Sequence, residues 1–235
     1  MAATVTLKGA ALVLDPSGAL WWPQRKTLAV ADLHLEKGPN FAAVGRLLPP
    51  NDTRATIDRL AVVLRRYRPE RVIALGDSFG GGKARARMDA ADLERLDRLV
   101  GEHDWVWLGG HHDSEPPAGL GGATVRELPL EPLIFRHEPA EEAVDGEVCG
   151  HFHPKAAVRM RGRRISGRCF VTDGARLILP AFGAYTGGLD ALDSAITDLF
   201  RGAVRVYLIG RAAIYLFSAE RLEPPRRTEG VAVAR

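Results

Sequence analysis

Six of the seven histidines, His34, His111, His112, His137, His151 and His153, fall just after a short apolar run, and only His103 lies elsewhere. Aspartates accompany them. Asp32 stands two residues before His34, Asp77 follows Gly76 at the end of another apolar run, and Asp113 follows His112. Imidazole and carboxylate groups bind divalent metals and move protons. In an extended backbone, Asp-x-His and His-x-His spacing puts both side chains on one side, so that a chain can offer two ligands to one ion. One such pair is more often a polar surface loop. Five clusters in succession are much harder to explain as solvated turns. Two aspartates and five histidines exceed the ligands of one tetrahedral ion, whereas two ions sharing a bridging carboxylate would use them all. The clusters lack cysteine, which points to Mn, Fe or Zn held by oxygen and nitrogen rather than a thiolate site.

The elements that must position these residues read as strand-like runs. Those over 27–31, 71–75, 105–108, 133–136 and 144–149 each end at a cluster, and further runs span 11–14, 164–171, 176–179, 204–209 and 212–217. Residues 52–67 carry Ile57, Leu60, Leu64 and Tyr67 at helical spacing, with Pro69 as the stop. Residues 88–100 carry Leu93, Leu96, Leu99 and Val100, with Asp89 as N-cap. The first half therefore alternates strand and helix, the pattern of parallel βαβ units, whose sites form at the carboxyl ends of strands. The second half is mostly strands joined by turns. A mixed α/β sandwich fits both halves better than a pure Rossmann-type sheet.

The ordered set Asp32-x-His34, Gly76-Asp77, Gly110-His111-His112-Asp113, His137 and Gly150-His151-Phe152-His153 resembles the calcineurin-like metallophosphoesterase superfamily. The match runs over residues 32–153, roughly half the chain. The resemblance implies a four-layer αββα sandwich with a dinuclear metal centre at strand ends. It implies Asp32, His34, Asp77 and His153 as ligands of the first metal, and Asp77, His111, His137 and His151 as ligands of the second, with Asp77 bridging. It also implies His112 as general acid or leaving-group stabiliser, oriented by Asp113. The family usually carries Asn where this chain has His111, so a ring nitrogen takes the place of a carbonyl oxygen and the second site becomes richer in nitrogen. Residues 32–38, 75–79, 151–154 and 179–189 further resemble the bacterial ligase-associated DNA damage response endonucleases. That narrower resemblance implies DNA as substrate and a functional association with a DNA ligase, a helicase and an exonuclease.

Composition sets the outer bounds. The chain has 235 residues and a net charge of 32 − 29 = +3, with 46% hydrophobic and 26% charged residues, which excludes disordered and fibrous classes. A single domain over 1–222 with a frayed tail over 223–235 is expected. Two cysteines, Cys149 and Cys169, are too few for a disulfide framework and suit a reducing compartment. The longest uncharged run, 177–189, has 13 residues, short of the roughly 18 that a membrane span needs. A soluble cytoplasmic protein without membrane contact is expected.

The substrate is read from local charge. Lys155, Arg159, Arg161, Arg163, Arg164 and Arg168 follow the His-x-His with no acid among them. On one strand, Arg159, Arg161 and Arg163 would form a one-sided row able to track a nucleic-acid backbone. The competing reading is a solvated β-hairpin. Trp105 and Trp107 alternate with Val106 and are expected in the core rather than as base-stacking platforms. The leading expectation is a dinuclear-metal DNA endonuclease acting in repair. The alternatives are a phosphatase or phosphodiesterase acting on a small nucleotide or phosphoprotein, and a non-catalytic scaffold, against which the His112-Asp113 pair argues.

Overall fold

Runs that are apolar at every position must be covered on both faces, and that requirement organises the chain. The computed structural model describes residues 1–36, 52–80, 87–110, 119–142 and 144–224. A first sheet holds, in chain order, β1 (Ala3–Leu7), β2 (Ala10–Leu14), β3 (Leu20–Trp22), β4 (Thr27–Ala31), β5 (Arg71–Leu75), β6 (Asp104–Leu108) and β7 (Ala123–Val125). The pairs from β1 to β4 are antiparallel and those from β4 to β7 are parallel. Parallel neighbours require crossovers. Helix α1 (Asp52–Tyr67) lies between β4 and β5 in the chain, and α2 (Ala90–Gly101) between β5 and β6.

Side-chain alternation gives each central strand two duties. Leu28, Val30, Val72, Ala74, Trp105 and Trp107 cluster with Ile57, Leu60, Val63 and Leu64 of α1 and with Leu96 and Val100 of α2. The intervening Ala29, Ala31, Ile73, Leu75, Val106 and Leu108 face the second sheet. Trp105 and Trp107 are buried, as their spacing predicts. Full burial of one large apolar side chain is worth about 1.5–3 kcal/mol, so this double-sided core holds the parallel strands firmly. The Asp89 carboxylate accepts the Ala91 N–H at 3.0 Å and caps α2 as expected.

The second sheet comprises β8 (Glu127–Leu130), β9 (Leu133–Arg136), β10 (Glu147–Cys149), β12 (Arg163–Thr172), β13 (Arg176–Ile178), β14 (Arg205–Ile209) and β15 (Ile214–Ser218), with β11 (Lys155–Met160) paired to β12 alone. Phe135, Val148, Phe170, Leu177 and Leu179 complete the core between the sheets. On the outer face, Cys149, Cys169, Val171 and Val206 are covered by Ala156 and Val158 of β11, by Leu222, and by Ile196 of the one-turn helix α3 (Ser194–Thr197). The four layers are therefore present, with the fourth built mainly from a hairpin strand and loops. Among the described residues, no helix is long and apolar enough to cross a membrane.

The hairpin corrects one expectation. Arg161 and Gly162 have φ of +48° and +77° and make the two-residue turn between β11 and β12. Arg159 stands opposite Arg164, and Met160 opposite Arg163. Arg159, Arg161 and Arg163 thus occupy one strand, a turn and the other strand, and they form no one-sided row. Glu223, expected in the tail, packs here instead. Its carboxylate meets Arg159 at 2.5 Å and Arg164 at 3.3 Å, and its N–H donates to Ala157 O at 2.7 Å.

Candidate metal centre

Register brings the strand ends level. Ala31 pairs with Leu75 and Leu75 with Leu108, so Asp32, Gly76-Asp77 and Gly109-Gly110 leave the first sheet along one line. In the second sheet β9 and β10 run parallel, and His137 and Gly150-His151 leave it beside each other. The two sheets meet at Asp32. A Cβ at Gly150 would lie 2.7 Å from Asp32 Oδ2, and the neighbouring His151 N–H donates to that oxygen at 3.1 Å. Only glycine lets the second sheet approach the carboxylate so closely.

Three groups of side chains result, each with ligand atoms within 4.8 Å of one another: Asp32, His34 and His153; Asp32, Asp77 and His137; and His137, Glu138 and His151. In the first, the Nε2 atoms of His34 and His153 are 3.1 Å apart, and His153 Nε2 is 3.3 Å from Asp32 Oδ1. Two ring nitrogens each about 2.1 Å from one ion would stand roughly 3–3.4 Å apart, so this spacing fits a shared cation. Asp32 Oδ1 is buried without a hydrogen-bond partner among the described residues. An isolated buried carboxylate oxygen is costly, and a cation satisfies it. In the second group, His137 Nδ1 is 2.9 Å from Leu75 O. That contact assigns the ring proton to Nδ1 and turns the Nε2 lone pair toward Asp77 Oδ1, 3.7 Å away. The donor set is all oxygen and nitrogen, which fits Mn, Fe or Zn. His111, His112 and Asp113 lie outside the described residues.

Two features escaped the sequence reading. Glu138 joins His137 and His151, with its Oε1 3.7 Å from His151 Nδ1. Its only signal was its position directly after His137. The convergence also does not come from strand alternation. Asp32, His34, Asp77, His151 and His153 have φ of +53°, +46°, +44°, +73° and +49°, so five of the six described candidate ligands are left-handed rather than extended. Each such residue costs on the order of 1–3 kcal/mol, and strain of this kind collects at functional sites. The surroundings hold it in place: His34 N donates to Asp77 O and Leu35 N to Ser78 O, both at 2.9 Å, tying the first metal-bearing loop to the next.

The chain is 32% identical to a solved structure of Pseudomonas putida nuclease MPE, with a TM-score of 0.71, over 92% of this chain and 100% of that one. The chain belongs to the metallophosphoesterase family. It is accordingly a metal-dependent phosphoesterase. It is also similar to Yfce, a phosphoesterase from E. coli, at 16% identity and a TM-score of 0.41, over 82% of this chain and 98% of that one. No family model matches the chain, and no curated protein does.

In this metallophosphoesterase the segment 179–189 has a definite mechanical task. Phe182 N donates to Ala31 O at 2.7 Å and Gly183 N to Asp32 O at 3.1 Å. At the other end Leu189 N donates to Phe152 O at 3.1 Å. Cβ atoms at Gly183 and Gly188 would lie 2.2 Å from Leu33 O and 2.0 Å from His153 O. One segment therefore clamps the loop of His34 and the loop of His153 together, across the two sheets.

Proposed function

We propose that this metallophosphoesterase is a nuclease that hydrolyses phosphodiester bonds in DNA and acts in DNA repair. The observation that carries the reading is the convergence of Asp32, His34, Asp77, His137, His151 and His153 in overlapping groups at one edge shared by both sheets. The similarity to a nuclease supports nucleic acid as the substrate. Asp32, His34, Asp77 and His153 would hold one divalent ion, and Asp77, His111, His137 and His151 a second, with Mn the leading candidate. Such ions supply Lewis-acid polarisation of phosphoryl oxygens and a water acidic enough to yield hydroxide near neutral pH. The chain's own task is to keep the donors fixed. Leu75 O sets the His137 tautomer, Gly150 and the His151 N–H position the Asp32 carboxylate, and 179–189 clamps the loops. His112, oriented by Asp113, gives a proton to the leaving oxygen, a contribution of about 10²–10⁴-fold. A cytoplasmic role alongside a DNA ligase, a helicase and an exonuclease belongs to this reading.

The test is a Mn-dependent cleavage panel of single- and double-stranded DNA, RNA, a bis-ester dye and a monoester dye. Cleavage of DNA and the bis-ester, abolished by chelation, is expected. Monoester turnover without DNA cleavage would overturn the nuclease reading. One observation favours a second reading, a phosphodiesterase for a small nucleotide. A cleft of about 410 Å³, lined by Gly109, Gly110, Arg126, Arg136, His137 and Glu138, opens beside the centre and is large enough for such a ligand. Salt separates the two, since backbone binding weakens steeply as salt rises.

A further inference from the structure

The clamp over residues 179–189 carries unpaired positive charge and one exposed aromatic ring. Three cationic side chains from three elements end on its carbonyls. Arg168 of β12 donates to Ala181 O at 2.6 Å, Arg59 of α1 to Phe182 O at 2.6 Å, and Lys155 of β11 to Thr186 O at 3.0 Å. None of the three pairs with a carboxylate among the described residues. Burial lowers the Arg168 guanidinium to about 10, with Arg59 nearby adding to the shift, and it stays a cation at neutral pH. Charge left uncompensated beneath a surface draws polyanions to it.

Tyr185 lies at the centre of this segment and is 53% exposed. Its φ is +55°, a conformation that costs a residue with a Cβ about 1–2 kcal/mol. No hydrogen bond of its hydroxyl offsets that cost among the described residues. Its neighbours are pinned: Ala184 N donates to Thr56 Oγ1 at 2.9 Å, and Thr186 Oγ1 donates to Gly183 O at 3.3 Å. Gly183 abuts Leu33 O and Gly188 abuts His153 O, two and three residues from Tyr185, so the segment that carries the ring is held against the loops of His34 and His153. An exposed aromatic ring on a pinned segment whose carbonyls hold half-buried cations, next to the loops of a phosphoester-cleaving site, is an arrangement by which proteins hold a nucleic-acid strand through stacking and backbone charge.

We propose that Tyr185 is the stacking platform for a nucleobase of the strand whose phosphodiester lies at the metal centre. The proposal rests on the nuclease reading above. Tyr185 positions the substrate and takes no part in the chemical step.

The test compares kcat/KM on an oligothymidylate with kcat/KM on an oligomer of the same length made of abasic deoxyribose phosphates, which keeps every phosphate and removes every base. Stacking on one base is worth about 1–3 kcal/mol, so the ratio of the two constants should fall about 5- to 150-fold in Tyr185→Ala. Tyr185→Gly, which relieves the backbone strain and also removes the ring, should match it, and Tyr185→Phe should restore the ratio. A purely structural role would lower both substrates together and leave the ratio unchanged, which overturns the platform. Cleavage of neither oligomer by the wild type, with Mn present, overturns the nuclease reading itself and the platform with it.

Discussion

Around Asp32 the ligand atoms are crowded, with contacts of 3.1 and 3.3 Å among His34, His153 and the carboxylate, and Asp32 is fully buried. Around His151 the contact to Glu138 is 3.7 Å, and the two side chains are 33% and 45% exposed. The first group is gripped from both sheets, through Gly150 on one side of Asp32 and Gly188 against the backbone of His153. The group of His137, Glu138 and His151 comes from the ends of two adjacent strands of one sheet and opens on the cleft that Gly109, Arg126 and Glu138 line. A site whose donors are already placed loses little freedom on binding, whereas an open site must order its ligands first. The crowded end should therefore take its ion tightly, and the open end should exchange its ion and admit the substrate.

The most severe way to break this comparison is Asp32→Asn. Asp32 belongs to both buried groups, and the amide keeps the oxygen that accepts the His151 N–H while removing the charge. The ion of the Asp32, His34 and His153 group should be lost, and hydrolysis should fall by at least about 10²–10³-fold, the scale of one removed electrostatic contact to a transition state. Metal content after dialysis checks it, and two retained ions would contradict the role of Asp32. Gly188→Ala acts on the crowded end alone. The added methyl would sit 2.0 Å from His153 O, so the clamp must shift. Overpacking of this kind costs about 1–3 kcal/mol, and for a chain of this size each kcal/mol lowers the melting temperature by about 2–4 °C. The tight binding event in a calorimetric Mn²⁺ titration should weaken, and the weaker event should change little.

What the sequence made visible follows from how local each signal is. β4, β5 and β6 were readable because a strand buried on both faces is an unbroken apolar run, and the candidate ligands were readable because they follow such runs. The structure reproduces Asp89 as the cap of α2 for the same reason, since a cap bonds only to residues beside it. Long-range contacts left no such trace. The competing reading of the run from Lys155 to Arg168 as a β-hairpin is the one the structure shows, but nothing in that run shows that Glu223 would return to Arg159 and Arg164, or that Lys155 and Arg168 would reach carbonyls of 181–186. Spacing also brought residues together on paper for a reason other than the one the structure shows. Asp32 and His34 converge through left-handed backbone held by Asp77 O and Ser78 O, partners more than forty residues away.

The smallest and sharpest test falls on the open end. Glu138→Gln keeps the shape of the side chain and removes its charge, leaving His151 beside a neutral partner at the same position. If Glu138 holds His151 in place or itself donates an oxygen, the weaker ion should lose about 10-fold in affinity, the low end of what outer partners contribute to a metal site. The tighter ion should be unaffected, because no atom of Glu138 belongs to the Asp32, His34 and His153 group. In a thermal-melt titration with Mn²⁺ the variant should match the wild type at low metal and fall behind it only as the second ion loads, since bound ligand stabilises by an amount set by its concentration over its dissociation constant. Equal weakening of both ions would mean that the two ends are one coupled unit, and the contrast between a gripped site and an open one would fall with that result.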